Sequence, residues 1–220
     1  MTDLETNLNS VQGRIAAAAK RARRDPAEIT LVAVTKTQPP KAIQAAYDLG
    51  LRHFGENRVE EAETKIDCLP EDIIWHMIGH VQSRKAKRVL PLFQTIHSLD
   101  SIKLAQRLNR LIADPTESVP VLLECNVSGE DSKYGLAAHR WAEDGGVRSS
   151  LLAAVEEILD LPHLEVQGLM TMGPRFGDPE NARPFFRESR KAYERLASLD
   201  LPRVTMRFLS MGMSNSYEVA

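Results

Sequence analysis

Aromatic residues are scarce. Phe, Trp and Tyr make up 5% of the 220 residues, so Leu, Ile, Val, Ala and Met must fill any core. Cysteine is nearly absent. Cys68 and Cys125 lie far apart in the chain, which excludes a disulfide framework and any Cys-x-x-Cys zinc pattern and suits a reducing compartment. Neither sign of charge is in excess: 28 Lys and Arg face 30 Asp and Glu, for a formal charge of −2, without the basic surplus of a nucleic-acid binder. No apolar run approaches the roughly 20 residues of a membrane helix. The opening Met-Thr-Asp-Leu-Glu-Thr is polar and acidic, unlike a secretory signal. The P-loop, the dinucleotide-binding glycine fingerprint and the nucleophile elbow are all missing. These absences predict a cytoplasmic protein that has neither nucleic acid nor membrane as partner.

What is present is an alternation of strands and helices. The chain is 43% hydrophobic and 26% charged, enough to bury a core. Its length fits one domain, residues 1–220. Leu4, Leu8, Val11, Ile15 and Ala19 recur at helical spacing, predicting a helix over 3–24. Thr2 or Asp3 could cap it, and Pro26 stops it. Residues 29–35 are apolar and β-branched, as in a strand covered on both faces of a parallel sheet. Pro39-Pro40 opens a helix that ends at Gly50. Further strands are predicted at 52–54, 73–78, 94–97, 119–125, 164–170 and 204–209. Further helices are predicted at 57–67, 83–90, 100–113, 147–160 and 179–197. This alternation predicts a parallel sheet with right-handed crossovers. Seven strands are counted where a (β/α)8 TIM barrel needs eight, so the expectation is a barrel whose last β/α unit is missing.

In a barrel the loops after the strands build the active face, and four segments there carry chemistry. Lys36, in Ala33-Val-Thr-Lys-Thr37, ends the first strand. Partly desolvated, its amine could attack an aldehyde; the alternative is an ordinary exposed strand-end lysine. In Phe54-Gly-Glu-Asn-Arg58, Asn57 either caps a helix or bonds a ligand. His76 and His80 in Trp75-His-Met-Ile-Gly-His80 are four apart, but a metal set lacks its third and fourth ligands. His76 is therefore expected to point into the barrel. Arg84, Lys85, Lys87 and Arg88 read as a solvated helix face, with anion steering the alternative. In Leu209-Ser-Met-Gly-Met-Ser-Asn-Ser216, Gly212 permits close backbone approach. Ser210, Ser214 and nearby N–H groups could cradle a phosphate at a helix start; the alternative is a Ser-capped helix. The loop 126–135 follows a strand and stands out by its length.

Six segments in this order, Ala-Val-Thr-Lys-Thr, Phe-Gly-Glu-Asn, Trp-His-x-Ile-Gly-x-x-Gln-x-x-Lys, Ile-His-Ser-Leu-Asp, Gly-Leu-Met-Thr-Met and Leu-Ser-Met-Gly-Met-Ser, strongly resemble the YggS/PROSC family of pyridoxal 5′-phosphate homeostasis proteins. The resemblance runs from Ile29 to Ala220. It implies a barrel of the alanine-racemase N-terminal-domain type and a Schiff base between pyridoxal phosphate and Lys36. It also implies that Asn57 and His76 line the cofactor pocket, and that Ser210, Met211, Gly212 and Ser214 form the phosphate segment. The implied role is to buffer or deliver the cofactor without robust catalysis, as a monomer, with pyridoxal-phosphate-dependent apoenzymes as possible acceptors. A racemase-like enzyme and a phosphorylated-metabolite binding module are the alternatives. The chain departs from the family pattern at Gln82-Ser-Arg-Lys85, where the third residue is usually Asn. It also departs at its end, where the family continues through an Arg-Ile-Gly-Thr strand that supplies an arginine and more phosphate ligands.

Overall fold

The computed structural model describes residues 3–130, 133–174, 177–199, 201 and 203–220. Helix α1 (Asp3–Arg21) carries Asp3 and Glu5 in its first turn and Lys20 and Arg21 in its last, the polarity its dipole favours. Thr2 lies outside the described residues. The strands are β1 (Ala33–Val34), β2 (His53–Glu56), β3 (Ile74–Met77), β4 (Thr95–Leu99), β5 (Val119–Asn126), β6 (Leu136–Ala137), β7 (Leu164–Met170) and β8 (Val204–Ser210). The helices between them are α2 (Pro40–Asp48), α3 (Val59–Glu63), α4 (Ala86–Val89), α5 (Ile102–Asn109), α6 (Gly145–Leu159) and α7 (Arg183–Ala197).

The strands pair in parallel, in the order β1-β2-β3-β4-β5-β7-β8, with β6 added to β5. This is the predicted seven-strand α/β barrel sheet plus one two-residue strand. Its edges are β1 and β8. Among the described residues no helix is long and apolar enough to cross a membrane.

Register assigns the two faces. Phe54 aligns with Trp75, and Met77 with Ile96 and on to Val121 through β4. These side chains are all buried and meet the helix faces carrying Ile43, Val59, Val89, Leu104 and Leu108. Each such side chain contributes about 1.5–3 kcal/mol on leaving water. The alternate residues, among them Val34, Gly55 and His76, face the barrel lumen, because successive side chains point to opposite faces. Two lumen-facing apolar residues on the edge strands are open to solvent: Val34 is 48% and Phe208 44% exposed.

Several predicted elements are shorter than expected. Of 29–35 only Ala33–Val34 pairs. The 57–67 helix breaks after Glu63. There the Thr64 hydroxyl donates back to the Glu61 carbonyl at 2.8 Å, which competes with the helix ladder, and a separate 3₁₀ turn covers Ile66–Cys68. The 83–90 helix is a 3₁₀ turn, Ser83–Lys85, followed by α4. β7 and β8 are joined through a register shift at Gly168, at φ +152°, where a Cβ would fall 1.8 Å from the Phe208 carbonyl oxygen.

Candidate functional site at the carboxyl end of the sheet

Lys36 occupies a tight turn. The Gln38 N–H donates to the Thr35 carbonyl at 3.0 Å, so Lys36 and Thr37 are the turn's two central residues. Thr37 has φ +62°, as a type II turn requires at that position, where glycine is usual. A β-branched residue there is strained, at a cost of roughly 1–3 kcal/mol. The surroundings hold it. The Thr37 N–H donates to Glu61 Oε2 at 2.8 Å. The buried Lys65 ammonium donates to the Thr35 carbonyl at 3.0 Å and to Glu56 Oε1 at 2.8 Å. The Thr35 hydroxyl also donates to Glu56 Oε1, at 2.8 Å. Glu56 is wholly buried, and its Oε2 has no partner among the described residues. The bond from Thr37 and the Lys65 charge hold the Glu61 carboxyl below its usual range. Lys36 itself is exposed, the plainer of its two sequence readings. Among the described residues its amine has no hydrogen bond or ion pair.

Asn57 does not cap a helix. The residue before α3 is Arg58, and no side chain caps that helix. The Asn57 amide is half-buried and unpartnered among the described residues. It opens on a cavity of about 610 Å³ that Arg58, Glu61, His80, Gln82 and Lys85 also line. The chain approaches Gly79 so closely that a Cβ there would lie 2.2 Å from the Asn57 carbonyl oxygen. Lys36 and Ser210 do not line this cavity.

His76 does point inward, and it is not alone there. His53 Nδ1 lies 3.0 Å from His76 Nε2, His76 Nδ1 lies 2.9 Å from His97 Nε2, and His97 Nδ1 lies 2.9 Å from Ser210 Oγ. The last contact joins β4 to β8 across the lumen and shows how far the sheet curls. Burial lowers the His53 pKa. Burial, then the neighbouring His53, push His76 down to about 4. Burial, then His76, push His97 down to about 3. All three rings are therefore neutral near pH 7. His80 instead pairs with Asp100 Oδ2 at 2.6 Å and stacks on Tyr134. Among the described residues no cluster of three or more His, Cys, Asp or Glu could hold a metal ion.

Beyond Ser210 the chain leaves the sheet. Gly212 has φ +87°, and residues 214–219 form consecutive turns rather than the expected helix. The Ser216 hydroxyl accepts from Met213 N–H at 3.1 Å. The N–H groups of Met211, Gly212 and Ser214 have no acceptor among the described residues. Ser214 is exposed and Ser210 half-buried. The loop after β5 is organised by Asn126. Its Oδ1 accepts from Ser128 and Gly129 N–H at 3.2 and 3.0 Å, and its Nδ2 donates to the Glu130 carbonyl at 2.9 Å. Residues 131 and 132 of this loop lie outside the described residues.

The arrangement thus offers, at one end of the sheet, an uncommitted amine, an uncommitted carboxamide, three open backbone donors and a hydroxyl held by a histidine. In chemical kind the amine suits an aldehyde and the backbone donors suit a phosphate. Glu56, Lys65, His53 and His97 went unnoticed as site residues in the sequence. A signal existed: Glu56 falls on the buried face set by Phe54, and each of three strands carries one histidine in the lumen-facing phase.

The alanine racemase N-terminal domain family matches residues 6–219, and the chain belongs to it. Within that class, a pyridoxal phosphate homeostasis protein of Aquifex aeolicus is 37% identical over 214 residues, covering 97% of this chain and 89% of its own length. The chain belongs to the pyridoxal phosphate homeostasis protein family. Among solved structures, an unknown protein from Bifidobacterium adolescentis superposes with a TM-score of 0.86 at 34% identity, covering 100% of this chain and 91% of that one. PipY of Synechococcus elongatus, solved with PLP bound, gives a TM-score of 0.73 at 32% identity over 93% and 92% of the two chains.

Proposed function

We propose that this protein binds pyridoxal 5′-phosphate and serves in its homeostasis, holding the cofactor and releasing it to pyridoxal-phosphate-dependent apoenzymes. The observation that carries the reading is the uncommitted Lys36 amine on a rigid turn, at the same end of the sheet as the open N–H groups of Met211, Gly212 and Ser214. In this reading Lys36 forms a Schiff base with the cofactor aldehyde, releasing water. The three N–H groups and the Ser210 hydroxyl receive the phosphate, and Asn57 borders the pocket. His76 acts from behind Ser210 through His97. When bound, the cofactor supplies an electrophilic aldehyde and an electron-withdrawing ring. The chain acts as a monomer and is a carrier rather than a catalyst of turnover.

The test is visible absorbance with pyridoxal phosphate, followed by borohydride reduction and peptide mass mapping. The expected result is a yellow protein whose reduced adduct maps to Lys36, and a Lys36→Ala variant that stays colourless. An adduct that maps elsewhere, or colour that survives the substitution, overturns the assignment. Appreciable conversion of an L-amino acid to its D-form by the loaded protein would move the reading to a racemase-like enzyme, since that reaction needs a second proton-transfer group.

A further inference from the structure

The lumen holds three neutral imidazoles in one unbroken line, ending on Ser210 Oγ. A neutral imidazole carries one N–H and one lone pair, so it donates from one nitrogen and accepts at the other. In this line each internal contact joins a δ nitrogen to an ε nitrogen. The line therefore admits two arrangements that satisfy every contact. In the first, His53, His76 and His97 all carry the proton on Nδ1. His53 then donates to His76, His76 to His97, and His97 to Ser210 Oγ. In the second, all three carry it on Nε2. The Ser210 hydroxyl then donates to His97 Nδ1, and each ring donates back along the line toward His53. A mixed arrangement sets two donors or two lone pairs against each other at one contact, and burial makes that costly.

The two arrangements differ at Ser210. In the first its oxygen accepts from His97 and its own proton is free to point outward. In the second that proton is committed to His97, and the hydroxyl offers an outside group only lone pairs. An anion at Ser210 can be served by the first alone. Resting on the pyridoxal phosphate reading above, we propose that His53, His76 and His97 are positioning residues: a tautomer-coupled column that turns the Ser210 hydroxyl into a committed donor for the cofactor phosphate. The far end of the column opens on a second cavity, of about 580 Å³, which His53 lines with Gln12, Thr30 and Arg52. The Arg52 guanidinium is held away, on Tyr47 and Asp72. A phosphate at one end of the lumen thereby fixes which nitrogen His53 presents at the other.

The experiment is long-range ¹H–¹⁵N NMR of the imidazoles in the whole chain, with inorganic phosphate and then pyridoxal phosphate as probes. The backbone amide signals of residues 210–214 are followed in the same samples. The expected result is that phosphate moves those amides and drives His53, His76 and His97 together to the Nδ1–H form. His76→Phe, which removes the middle of the line without touching Ser210, is expected to abolish the response of His53 and weaken phosphate binding about five-fold, the scale of one ordinary hydrogen bond. His76→Gln, which keeps one donor and one acceptor, is expected to restore most of the affinity. Moved amides with imidazoles that keep mixed or Nε2–H tautomers overturn the column while leaving the cofactor reading intact. Equal affinity of the Phe and Gln variants also overturns it. Amides that do not respond to either probe overturn the phosphate site itself, and the column's role with it.

Discussion

Replacing Lys65 by Met tests how the Lys36 turn is held. The Lys65 side chain is 7% exposed and the Glu56 side chain fully buried. Met matches the length of the apolar stem of Lys65 but removes the ammonium, and with it the bonds to Glu56 Oε1 and the Thr35 carbonyl. Glu56 would keep only the Thr35 hydroxyl, and its other oxygen already lacks a partner. Removing one member of a buried pair leaves a charge without compensation, at a cost of about 3–5 kcal/mol. Adding Glu56→Gln removes that charge. The double variant should then be more stable than Lys65→Met alone, by about 2 kcal/mol or more if most of the penalty is the stranded carboxylate. Urea unfolding of the parent, both single variants and the double variant at pH 7.5 gives the cycle, with the midpoint and slope read separately. A Lys65→Met variant within about 1 kcal/mol of the parent refutes the reasoning, because the pair would then behave as a solvated one. A double variant that loses the sum of the two single losses refutes it equally.

Glu124 gives a pH-dependent counterpart. Leu99 aligns with Leu123, so Asp100 and Glu124 follow side by side, and burial, then Asp100, push the Glu124 carboxyl from 4.5 up to about 7. The native state therefore holds this proton more tightly than the unfolded chain. The stabilisation is full below pH 4.5 and is lost as pH rises to about 7, roughly 3 kcal/mol in all. Glu124→Gln should match the parent near pH 4.5 and exceed it at pH 8 by up to about that amount in urea unfolding; parallel stability profiles would exclude it. Gly79→Ala forces a Cβ against the Asn57 carbonyl, so thermal unfolding should show a loss of about 1–3 kcal/mol, and pyridoxal phosphate titration should show weaker binding. An unchanged melting temperature would mean that the two backbones can part without cost.

The strands were legible because a parallel sheet covered by helices needs short apolar runs, and interior positions such as Val121, Leu122 and Leu123 supply them without a break. Lys36 and the Ser210–Ser214 segment were legible as ends of strands rich in small polar residues. β6 was not, because two residues carry no period. Its placement depends on Gly135 at φ +114°, where a Cβ would crowd the Glu124 carbonyl and the Asn126 N–H. Asn57 stayed open between cap and ligand contact because caps are local, whereas its release from capping depends on Arg58 taking the boundary position. Lys65 falls inside the predicted 57–67 helix, where nothing marks it out. Its burial is decided by Glu56, nine positions earlier on another element, and no local pattern records such a partnership. The histidines were individually visible, but their line forms only when β2, β3 and β4 pair, and it reaches Ser210 only once β8 has curled back to β4.

The turn at residues 35–38 also sorts its amines by access. Lys65 donates to two oxygens beneath that turn, with a third 3.6 Å away, while Lys36 stands exposed with none among the described residues. An electrophile arriving from solvent meets these two neighbours unequally: one nitrogen is buried and turned toward oxygens of the protein, and the other is exposed. Regioselective labelling by any small aldehyde, cofactor or not, would thus favour Lys36 over Lys65 through concealment of the competitor alone, before any recognition of the reagent's remaining atoms.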